Sequence, residues 1–327
     1  MLQTQVKQDQ RGGMEISVVV PTFNRREMVM RTLETLFAQR FPREDYEIIV
    51  VVDGSIDGTE AALRTLRPAC DFRVIEQENR GLAGARNTGY RAANADLVLF
   101  LDDDMLCDSG LIAAHVAAHK AAGPMAGFGA LFLSADSPPS LAAECFNREI
   151  GAYHLERRRA PETPWHEREC VFSNSSLPRD LLIEFGGFDE AFRMREDLEF
   201  GTRLFASGVR SQYIDDAIAY QYYEKTSLDL IRDSEAFAAA DVMYARKHAG
   251  EQDVGELRWY FKQPRWKRTL HRIAAFYPGM VDLFLAPACA MGENFFHVPQ
   301  LRSLGVRALQ IRRRIHWLHA VFKLKMR

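Results

Sequence analysis

The sequence predicts an α/β fold: a mostly parallel sheet flanked by helices, followed by a helical C-terminal extension. Up to about residue 104, apolar runs of strand length alternate with helical-period segments, and the connections between them are short. Such alternation favours parallel strands with right-handed crossovers. From about residue 226 the legible patterns are helical. We therefore expect a polar tail over residues 1–14, a main domain over 15–225 and a helical, basic extension over 226–327.

The composition is that of an ordinary globular protein, with 47% hydrophobic and 26% charged residues. The five cysteines are scattered and odd in number, which indicates a reducing compartment. Residues 1–15 are polar, so we expect no signal peptide, and no run of 18 or more apolar residues lacks charge or proline. The expected location is the cytoplasm.

The first strand and helix follow from residues 16–39. ISVVVPTF, residues 16–23, predicts a buried strand that ends at Pro21. Asn24, with Glu27 three residues later, has the pattern of a capping box, so we expect Asn24 to cap a helix from about residue 25 to 39.

Two more strand–helix units come next. YEIIVVV, residues 46–52, predicts a second buried strand, followed by Asp53 and a glycine-rich turn. A helix with Leu63 facing the core follows, then a third strand, FRVIEQ. GLAGARNTGYRAANA predicts a helix rich in small residues.

The fourth strand ends in three carboxylates. LVLFL, residues 97–101, is a continuous apolar run, as in a strand buried on both faces, and Asp102, Asp103 and Asp104 follow directly. Carboxylates crowded at the end of a buried strand repel one another unless a cation lies among them. A solvated acidic turn is the alternative, and the DDD triplet alone does not decide between them.

Polar residues follow three of these strands, and parallel strands bring their carboxyl ends to one edge, where ligands of α/β sheets bind. Thr22 and Asn24 follow the first strand, Asp53 and Ser55 the second, and the three aspartates the fourth. The first strand is not followed by G-x-G-x-x-G, and no P-loop is present, so the pattern is not that of the usual dinucleotide fold.

These segments resemble a known family. VVVPTFNR, VVDGSIDGT and NRGLAGARNTG before FLDDD are similar, in order and spacing, to the nucleotide-diphosphosugar-binding half of the family 2 glycosyltransferases, which have the GT-A fold. VFSNSSLPRDLLIEFGGFDEAFRMREDLEFG resembles the acceptor-side segment of that family, with Glu196 and Asp197 opening a helix. The resemblance extends to about residue 225 and divides the main domain at about residue 104 into a nucleotide-sugar half and an acceptor half.

The resemblance implies an inverting, hexosyltransferase-like enzyme of glycan, polysaccharide or glycoconjugate biosynthesis. Its partners would be a nucleotide-diphosphate sugar donor and a glycan or lipid-linked acceptor, without nucleic acid. The residues implied in donor binding are Pro21, Thr22, Asn24, Arg25, Asp53, Gly54, Arg86, Asp102 and Asp103. Among these, Asp53 would accept a hydrogen bond from the base.

The resemblance also implies a metal and a base. Asp104, with Asp102, would hold Mg²⁺ or Mn²⁺ at the two phosphates, since hard oxygen ligands suit these cations. Asp197 would deprotonate the acceptor hydroxyl, with Glu196 orienting it. Many family members carry a metal-binding histidine after the next strand, where this chain has Gln221, a poor metal ligand. The departure puts metal dependence in question.

Structural readings of the same residues remain open. Asp53 can be a turn-forming residue before Gly54, Arg86 a surface arginine, and Asp197 an acid stabilised by a helix N-terminus. A different class of function, a catalytically impaired nucleotide-sugar-binding or membrane-associated accessory protein, also remains. A nucleotidyltransferase is less favoured, because the glycine-rich triphosphate loop after the first strand is missing.

The C-terminal segment is strongly basic. Residues 294–327 hold eight Lys or Arg and no Asp or Glu, although the whole chain has a net charge of −2. A helical apolar stripe with basic flanks runs through Leu304, Ala308, Ile311, Ile315, Leu318 and Phe322. One prediction is an interfacial helix in which residues 301–327 bind an anionic membrane surface, which would place the chain peripherally on the inner face of a membrane. The alternative is a helix docked on the main domain.

Overall fold

The structure, a computed structural model, describes residues 13–159, 171–249 and 255–325, so most of the predicted tail 1–14 lies outside it. These residues form one sheet of eight strands in the order β3-β2-β1-β4-β7-β6-β8-β5. The strands are β1 (Ile16–Thr22), β2 (Tyr46–Asp53), β3 (Asp71–Gln77), β4 (Leu97–Leu101), β5 (Met105–Cys107), β6 (Ala126–Leu133), β7 (Asn174–Pro178) and β8 (Ser211–Gln221).

The first four strands form the parallel half of the sheet, as predicted. β1 pairs in parallel with both β2 and β4, and β2 pairs with β3. Every residue of β1, β2 and β4 is buried, which explains why these strands are continuous apolar runs without alternation. Their carboxyl ends therefore share one edge.

The second half of the sheet changes direction. β7 is antiparallel to β4 and β6, β8 is parallel to β6, and β5 is antiparallel to β8. β5 begins directly after the three aspartates, and its Met105 pairs with Gln221 at the end of β8. This pairing brings Gln221 to the carboxylates.

Helices cover both faces of the sheet. In the main domain they are α1 (Arg26–Phe37), α2 (Thr59–Leu63), α3 (Gly81–Ala92), α4 (Leu111–Ala122), α5 (Leu141–Arg159), α6 (Arg179–Glu184) and α7 (Glu196–Ala206). Successive strand residues point to opposite faces. Thus Val18 packs in the core under α1, α2 and α4, whereas Val19 packs in the core under α3, α6 and α7.

The predicted capping box at Asn24 is wrong. Asn24 has a positive φ of 51°, and its Oδ1 accepts a hydrogen bond from the Ile56 N–H at 2.8 Å. The N-terminus of α1 is capped instead by Asp57, whose Oδ2 accepts from the Arg26 N–H at 3.0 Å. The side-chain amide of Asn24 binds the loop after β2 and is not available to cap α1. Asp57, from that distant loop, caps the helix instead.

The extension consists of α8 (Ser227–Tyr244), a π-helical turn (Ala245–Ala249), α9 (Gly255–Lys262), α10 (Arg265–Phe276), α11 (Pro278–Asn294) and α12 (Pro299–Lys325). Thr226 is the N-cap of α8: its Oγ1 accepts from the Asp229 N–H at 3.2 Å, and its N–H donates to Asp229 at 2.9 Å. Ser227 Oγ donates to Glu293 of α11 at 2.8 Å.

The apolar stripe of α12 is mostly a packing face, which contradicts a free interfacial helix over residues 301–327. Ala308, Ile315 and Leu318 are buried against α5, α8, α10 and α11, and only Leu304 and Ile311 remain about half exposed. Other parts of the chain cover these apolar side chains. The helix therefore docks on the rest of the chain, which was the alternative.

Helices α11 and α12 cross at two glycines. A Cβ at Gly292 would lie 2.9 Å from Gly305 Cα, and a Cβ at Gly305 would lie 3.0 Å from Gly292 Cα. The same Gly305 Cβ would lie 2.8 Å from Leu141 Cδ1 of α5. Both positions need glycine because any side chain would separate the helices.

Among the described residues, no single helix is long and apolar enough to cross a membrane. Only α10 and α11 taken together meet the criteria of length and composition, and they are bent by 92°.

Candidate active site

The carboxyl ends of β1, β2 and β4 and the start of α3 enclose a cavity of about 420 Å³. Its lining includes seven of the predicted site residues: Pro21, Thr22, Arg25, Asp53, Asp102, Asp103 and Asp104. Five further residues were not predicted: Phe23, Asn79, Gly81, Leu82 and Ala85. Phe23 is the one with a recognisable signal, because an exposed aromatic directly after a buried strand has no packing role.

Asp53 is buried at the end of β2 and is held by three N–H donors. Its Oδ1 accepts from Gln77 Nε2 at 2.6 Å and from the Arg80 N–H at 2.8 Å, while Oδ2 accepts from the Gly81 N–H at 2.8 Å. Asp53 thus stabilises the N-terminus of α3 as well as lining the cavity. A carboxylate has about four lone-pair sites, so it can still accept from one more donor.

Three predicted donor-binding residues do not line the cavity: Arg86, Gly54 and Asn24. The last two organise the loops. Gly54 has a φ of 78°, and a Cβ there would lie 2.9 Å from the Asn79 backbone nitrogen. The Asn24 N–H donates to Ser55 Oγ at 2.9 Å, which ties the loop after β1 to the loop after β2. Gly54 and Asn24 thus shape the loops at the rim of the cavity.

Asp103 is buried and fully paired. Its Oδ2 accepts from Thr22 Oγ1 at 2.7 Å, and its Oδ1 accepts from Arg25 Nη1 at 2.8 Å. Burial raises the pKa of Asp103 to about 7, although the Arg25 guanidinium opposes the shift. This carboxylate is tied to β1 and α1, so it holds the cluster in place.

Asp104 is the carboxylate with an unsatisfied oxygen. Its Oδ2 accepts from Gln221 Nε2 at 3.1 Å and from Arg25 Nη1 at 3.3 Å, while its buried Oδ1 accepts no hydrogen bond within the described residues. Burial raises the pKa of Asp104. An orphaned, buried carboxylate oxygen fits a cation. Asp104 is therefore suited to bind the predicted metal, and the side chain of Gln221 lies beside this carboxylate.

The protein ligands for such a cation are few. Within the described ranges, no group of three or more His, Cys, Asp or Glu side chains is arranged to hold a metal ion. The positive charge next to the cluster is Arg25, which contacts Asp103, Asp104 and, at 3.5 Å, Glu224.

Arg86 links the two acidic groups of the site. Its guanidinium is buried and donates from Nη2 to Asp102 Oδ1 and from Nη1 to Glu196 Oε1, both at 2.9 Å. The guanidinium also lies 5.4 Å from the centroid of the Phe188 ring. Arg86 is therefore a bridge between β4 and the start of α7, and not a surface arginine.

The acid pair begins α7, as predicted, but its two members do different things. Glu196 accepts from Arg86 and forms no hydrogen bond with Asp197 in the described part of the chain, so a direct orienting contact is not what the geometry provides. Asp197 Oδ1 accepts from the Leu198 N–H at 2.7 Å. Burial raises the pKa of both carboxyls, that of Glu196 to about 7 with the help of the adjacent Asp197.

The residue before this pair is held from the extension. Arg195 caps α7 with a positive φ of 65°, which L-residues rarely adopt. Its Nε donates to Asp241 Oδ1 of α8 at 3.0 Å, and Asp241 Oδ2 accepts from Trp317 Nε1 of α12 at 2.9 Å. Asp241 is fully buried. This relay was not predicted from the sequence, although an aspartate on the apolar face of a predicted helix was a signal for it.

Asn87 of α3 was also missed, although it lies inside a quoted motif. Its Nδ2 donates to the Phe188 carbonyl at 2.8 Å, and its Oδ1 accepts from the Phe188 N–H at 2.9 Å. Gly187 has a φ of 69°, and a Cβ there would lie 2.4 Å from Asn87 Oδ1. This contact fixes the Gly-Gly-Phe-Asp-Glu turn against the donor half.

The chain is similar to known transferases. The profile of the family described as Glycosyl transferase family 2 matches residues 17–186, more than half of the chain. Validoxylamine A glucosyltransferase of Streptomyces hygroscopicus subsp. jinggangensis is 33% identical over 59% of this chain and 52% of its own length. Chondroitin synthase of Escherichia coli is 27% identical over 63% of this chain and 34% of its own length. The chain thus spans about half the length or less of these relatives.

Solved structures share the fold. A mannosyltransferase from Pyrobaculum calidifontis, in complex with GDP-Man and Mn²⁺, superposes with a TM-score of 0.59 over 91% of this chain and 85% of its own, at 21% identity. Residues 1–349 of Staphylococcus aureus TarS, in complex with UDP, give 0.54 over 96% and 92%, at 16% identity. At such identities the likeness concerns the fold alone, and it confirms the GT-A prediction.

Proposed function

The chain belongs to glycosyl transferase family 2, and from that membership we propose that it transfers a sugar from a nucleotide-diphosphate sugar to an acceptor hydroxyl with inversion at the anomeric carbon. The observation that carries the proposal is the arrangement of the two acidic groups. Asp102–Asp104 face a cavity at the edge of the sheet, and Arg86 connects them to the acid pair at the start of α7. The relatives include a validoxylamine A glucosyltransferase and a chondroitin synthase.

The donor would lie in the cavity. Pro21, Thr22 and Asp53 would line the nucleoside pocket, with the remaining lone pair of Asp53 accepting from the base. Phe23 is about half exposed at the same wall and offers a face on which the base can stack. Asp102, whose side chain is the most exposed of the three aspartates, would contact the ribose or the sugar.

Asp104 and Asp102 would hold Mg²⁺ or Mn²⁺, as the Mn²⁺ in the mannosyltransferase complex supports. The orphaned oxygen of Asp104 is the group that such a cation would satisfy. When bound, the metal would neutralise charge on the diphosphate leaving group. Arg25 contacts the other oxygen, Oδ2, so its ion pair does not compete for the orphaned Oδ1.

Asp197 would be the base. The acceptor oxygen forms its bond to the anomeric carbon as the bond from that carbon to the diphosphate oxygen breaks. The proton of the hydroxyl passes to Asp197, and the nucleoside diphosphate leaves with the electron pair. Glu196 would act through Arg86, holding that guanidinium between the two acidic groups. We propose a glycan or a lipid-linked glycan as the acceptor.

A second function is favoured by one observation: Arg25 and Gln221 already occupy Asp103 and Asp104. A binding protein that holds a nucleotide sugar without turning it over could use carboxylates that are paired with protein donors in this way. Hydrolysis of the donor in the absence of acceptor separates the two, since a transferase hydrolyses its donor slowly and a binding protein does not.

The test is a thermal-stability screen of nucleotide sugars, with and without Mn²⁺. A ligand that binds only the folded state raises the melting temperature. We expect one nucleotide series to stabilise the protein, more strongly with Mn²⁺, and to be consumed when glycan acceptors are added. Absence of stabilisation by every nucleotide sugar, with a folded protein, would contradict the proposal.

A further inference from the structure

Helices α10 and α11 carry a continuous apolar surface that no described part of the chain covers. Trp266 and Phe284, for example, are 61% and 70% exposed. The surface, which we call the α10–α11 face, comprises Trp266, Leu270, Ile273, Phe276, Tyr277, Met280, Leu283 and Phe284. Large contiguous apolar patches are rare on soluble monomers and mark sites of association. The face continues across the 92° bend between the two helices, so it forms a corner.

The charges next to the α10–α11 face have one sign. Lys262, Arg265, Lys267 and Arg272 are exposed. In the part of the chain that the structure describes, none of these four side chains forms an ion pair with an Asp or a Glu. The Lys267 ammonium lies instead 5.5 Å from the centroid of the Trp266 ring, within the face itself. Four cations at this corner are therefore available to an anionic partner.

The acids of this region are turned inward. Over residues 259–325 the only acidic residues are Asp282 and Glu293. Asp282 pairs with Arg312 and His316 of α12. Glu293 accepts from the Leu141 N–H and from Ser227 Oγ. Over the described residues 259–325 the outer surface is therefore apolar and cationic.

We propose that the α10–α11 face docks on a membrane surface that contains anionic lipid. Its aromatic and aliphatic side chains enter the boundary between headgroups and acyl chains, and its Lys and Arg side chains reach the headgroup phosphates. This differs from the prediction for residues 301–327, because α12 uses its stripe for packing whereas α10 and α11 keep theirs exposed.

Charge favours lipid over a second copy of the chain. A two-fold dimer through the α10–α11 face would bring the same patch of each protomer together, and with it Arg265, Lys267 and Arg272 of both. Like charges would then face one another without acids between them. An anionic lipid surface satisfies the same cations. The inference rests on this face alone and stands independently of the transfer reaction.

The experiment is vesicle flotation of the full chain. Vesicles of phosphatidylcholine with and without phosphatidylglycerol are compared at low and high salt. We expect flotation with the anionic vesicles at low salt and weaker flotation at high salt, because the electrostatic part is screened. Binding to neither kind of vesicle at low salt would overturn the proposal.

Variants locate the surface. Leu283→Asp combined with Phe284→Asp should weaken binding by roughly a hundredfold or more, since two apolar side chains leave the interface and two negative charges enter it. Arg272→Ala should weaken it about fivefold at low salt only. Ile183→Asp, a change at a half-exposed isoleucine on α6, is the matched control and should float like the unchanged protein. Since all these side chains are exposed, melting temperatures should stay the same.

Two outcomes contradict the proposal. One is equal flotation of the Leu283→Asp, Phe284→Asp variant and the unchanged protein. The other is a dimer in sedimentation experiments that the same variant converts to a monomer, combined with no flotation, which would make the face an interface between copies.

Discussion

The two acidic groups of the site are held in different ways. Asp103 and Asp104, which follow β4, are held by Thr22 and Arg25 near the end of β1, and Gln221 of β8 also donates to Asp104. The acid pair of α7 is fixed from outside the main domain: Arg195 holds its N-terminus through Asp241 and Trp317 of the extension. The donor side therefore depends mainly on the β1–β4 half, with one contact from β8. The proposed base, by contrast, depends on helices that the family match over residues 17–186 does not include.

The largest effect is expected at the donor side. Asp104→Ala should abolish transfer, because the metal-bound diphosphate loses its anchoring carboxylate, while the fold is kept. Isothermal titration with the nucleotide sugar, with and without Mn²⁺, measures the loss of donor affinity. Asp216→Ala, at an acid of β8 outside the cavity, is the control. Normal turnover of the Asp104 variant at limiting Mn²⁺ would show that the metal assignment is wrong.

On the acceptor side, Asp197→Asn should lower turnover by roughly 10²-fold or more, the usual scale for losing a positioned base. Donor affinity should barely change, since Asp197 does not line the cavity. Steady-state kinetics and donor titration measure the two quantities. Asp180→Asn, a change at the start of α6, serves as a matched control for an acid at a helix N-terminus. Equal losses of donor affinity and rate would make Asp197 structural.

The comparison is sharpened by Trp317→Phe. The variant keeps an aromatic ring but removes the N–H that holds Asp241, so Arg195 and the start of α7 lose part of their support. We expect turnover to fall about tenfold, with donor affinity unchanged, because small displacements of a reacting group are costly in rate. A hydrogen bond of this kind contributes about 1–3 kcal/mol to stability when it involves a charged group.

The control for this relay is Trp259→Phe, a change at a tryptophan outside it. The result that would count against the relay is a loss of stability in Trp317→Phe without any change in turnover measured well below the melting temperature.

The smallest effect concerns pH. A base must be deprotonated to accept a proton, so turnover should fall as pH decreases through its pKa, by about tenfold per unit. Burial raises the pKa of Asp197 above its ordinary value, which moves this limb upward. Glu196→Gln removes the adjacent carboxyl that is coupled to Asp197, and we expect the midpoint of the limb to move down. An unchanged midpoint would show that Glu196 does not influence the titration of the base.

Local patterns explain what could be predicted. The strands of the parallel half are continuous apolar runs, and the residues just past them meet at one edge for geometric reasons, so Asp53 and Asp102–Asp104 could be placed from the sequence. The misses depend on contacts between distant segments. Asp57 caps α1 from 31 residues away, and Trp317 reaches Asp241 over 76 residues.

Amphipathic patterns show a similar limit. α12 and α10 both carry apolar positions at the helical period with basic flanks, yet Leu318 is buried and Leu270 is 57% exposed. Periodicity identifies an apolar face but not what covers it. That depends on which other helices reach the face, and this is decided by the tertiary arrangement.

The crossing of α11 and α12 at Gly292 and Gly305 connects the exposed α10–α11 face to the helix that carries Trp317. With no side chain between them, the backbones meet directly, and Leu141 of α5 closes the same contact. Trp317, which supports the start of α7, lies on α12, and the outward corner of the molecule lies on α11. The distance and tilt between α11 and α12 are thus set by a backbone contact. We therefore expect Gly305→Ala to change the position of α11 relative to α12 without touching the carboxylates of the site.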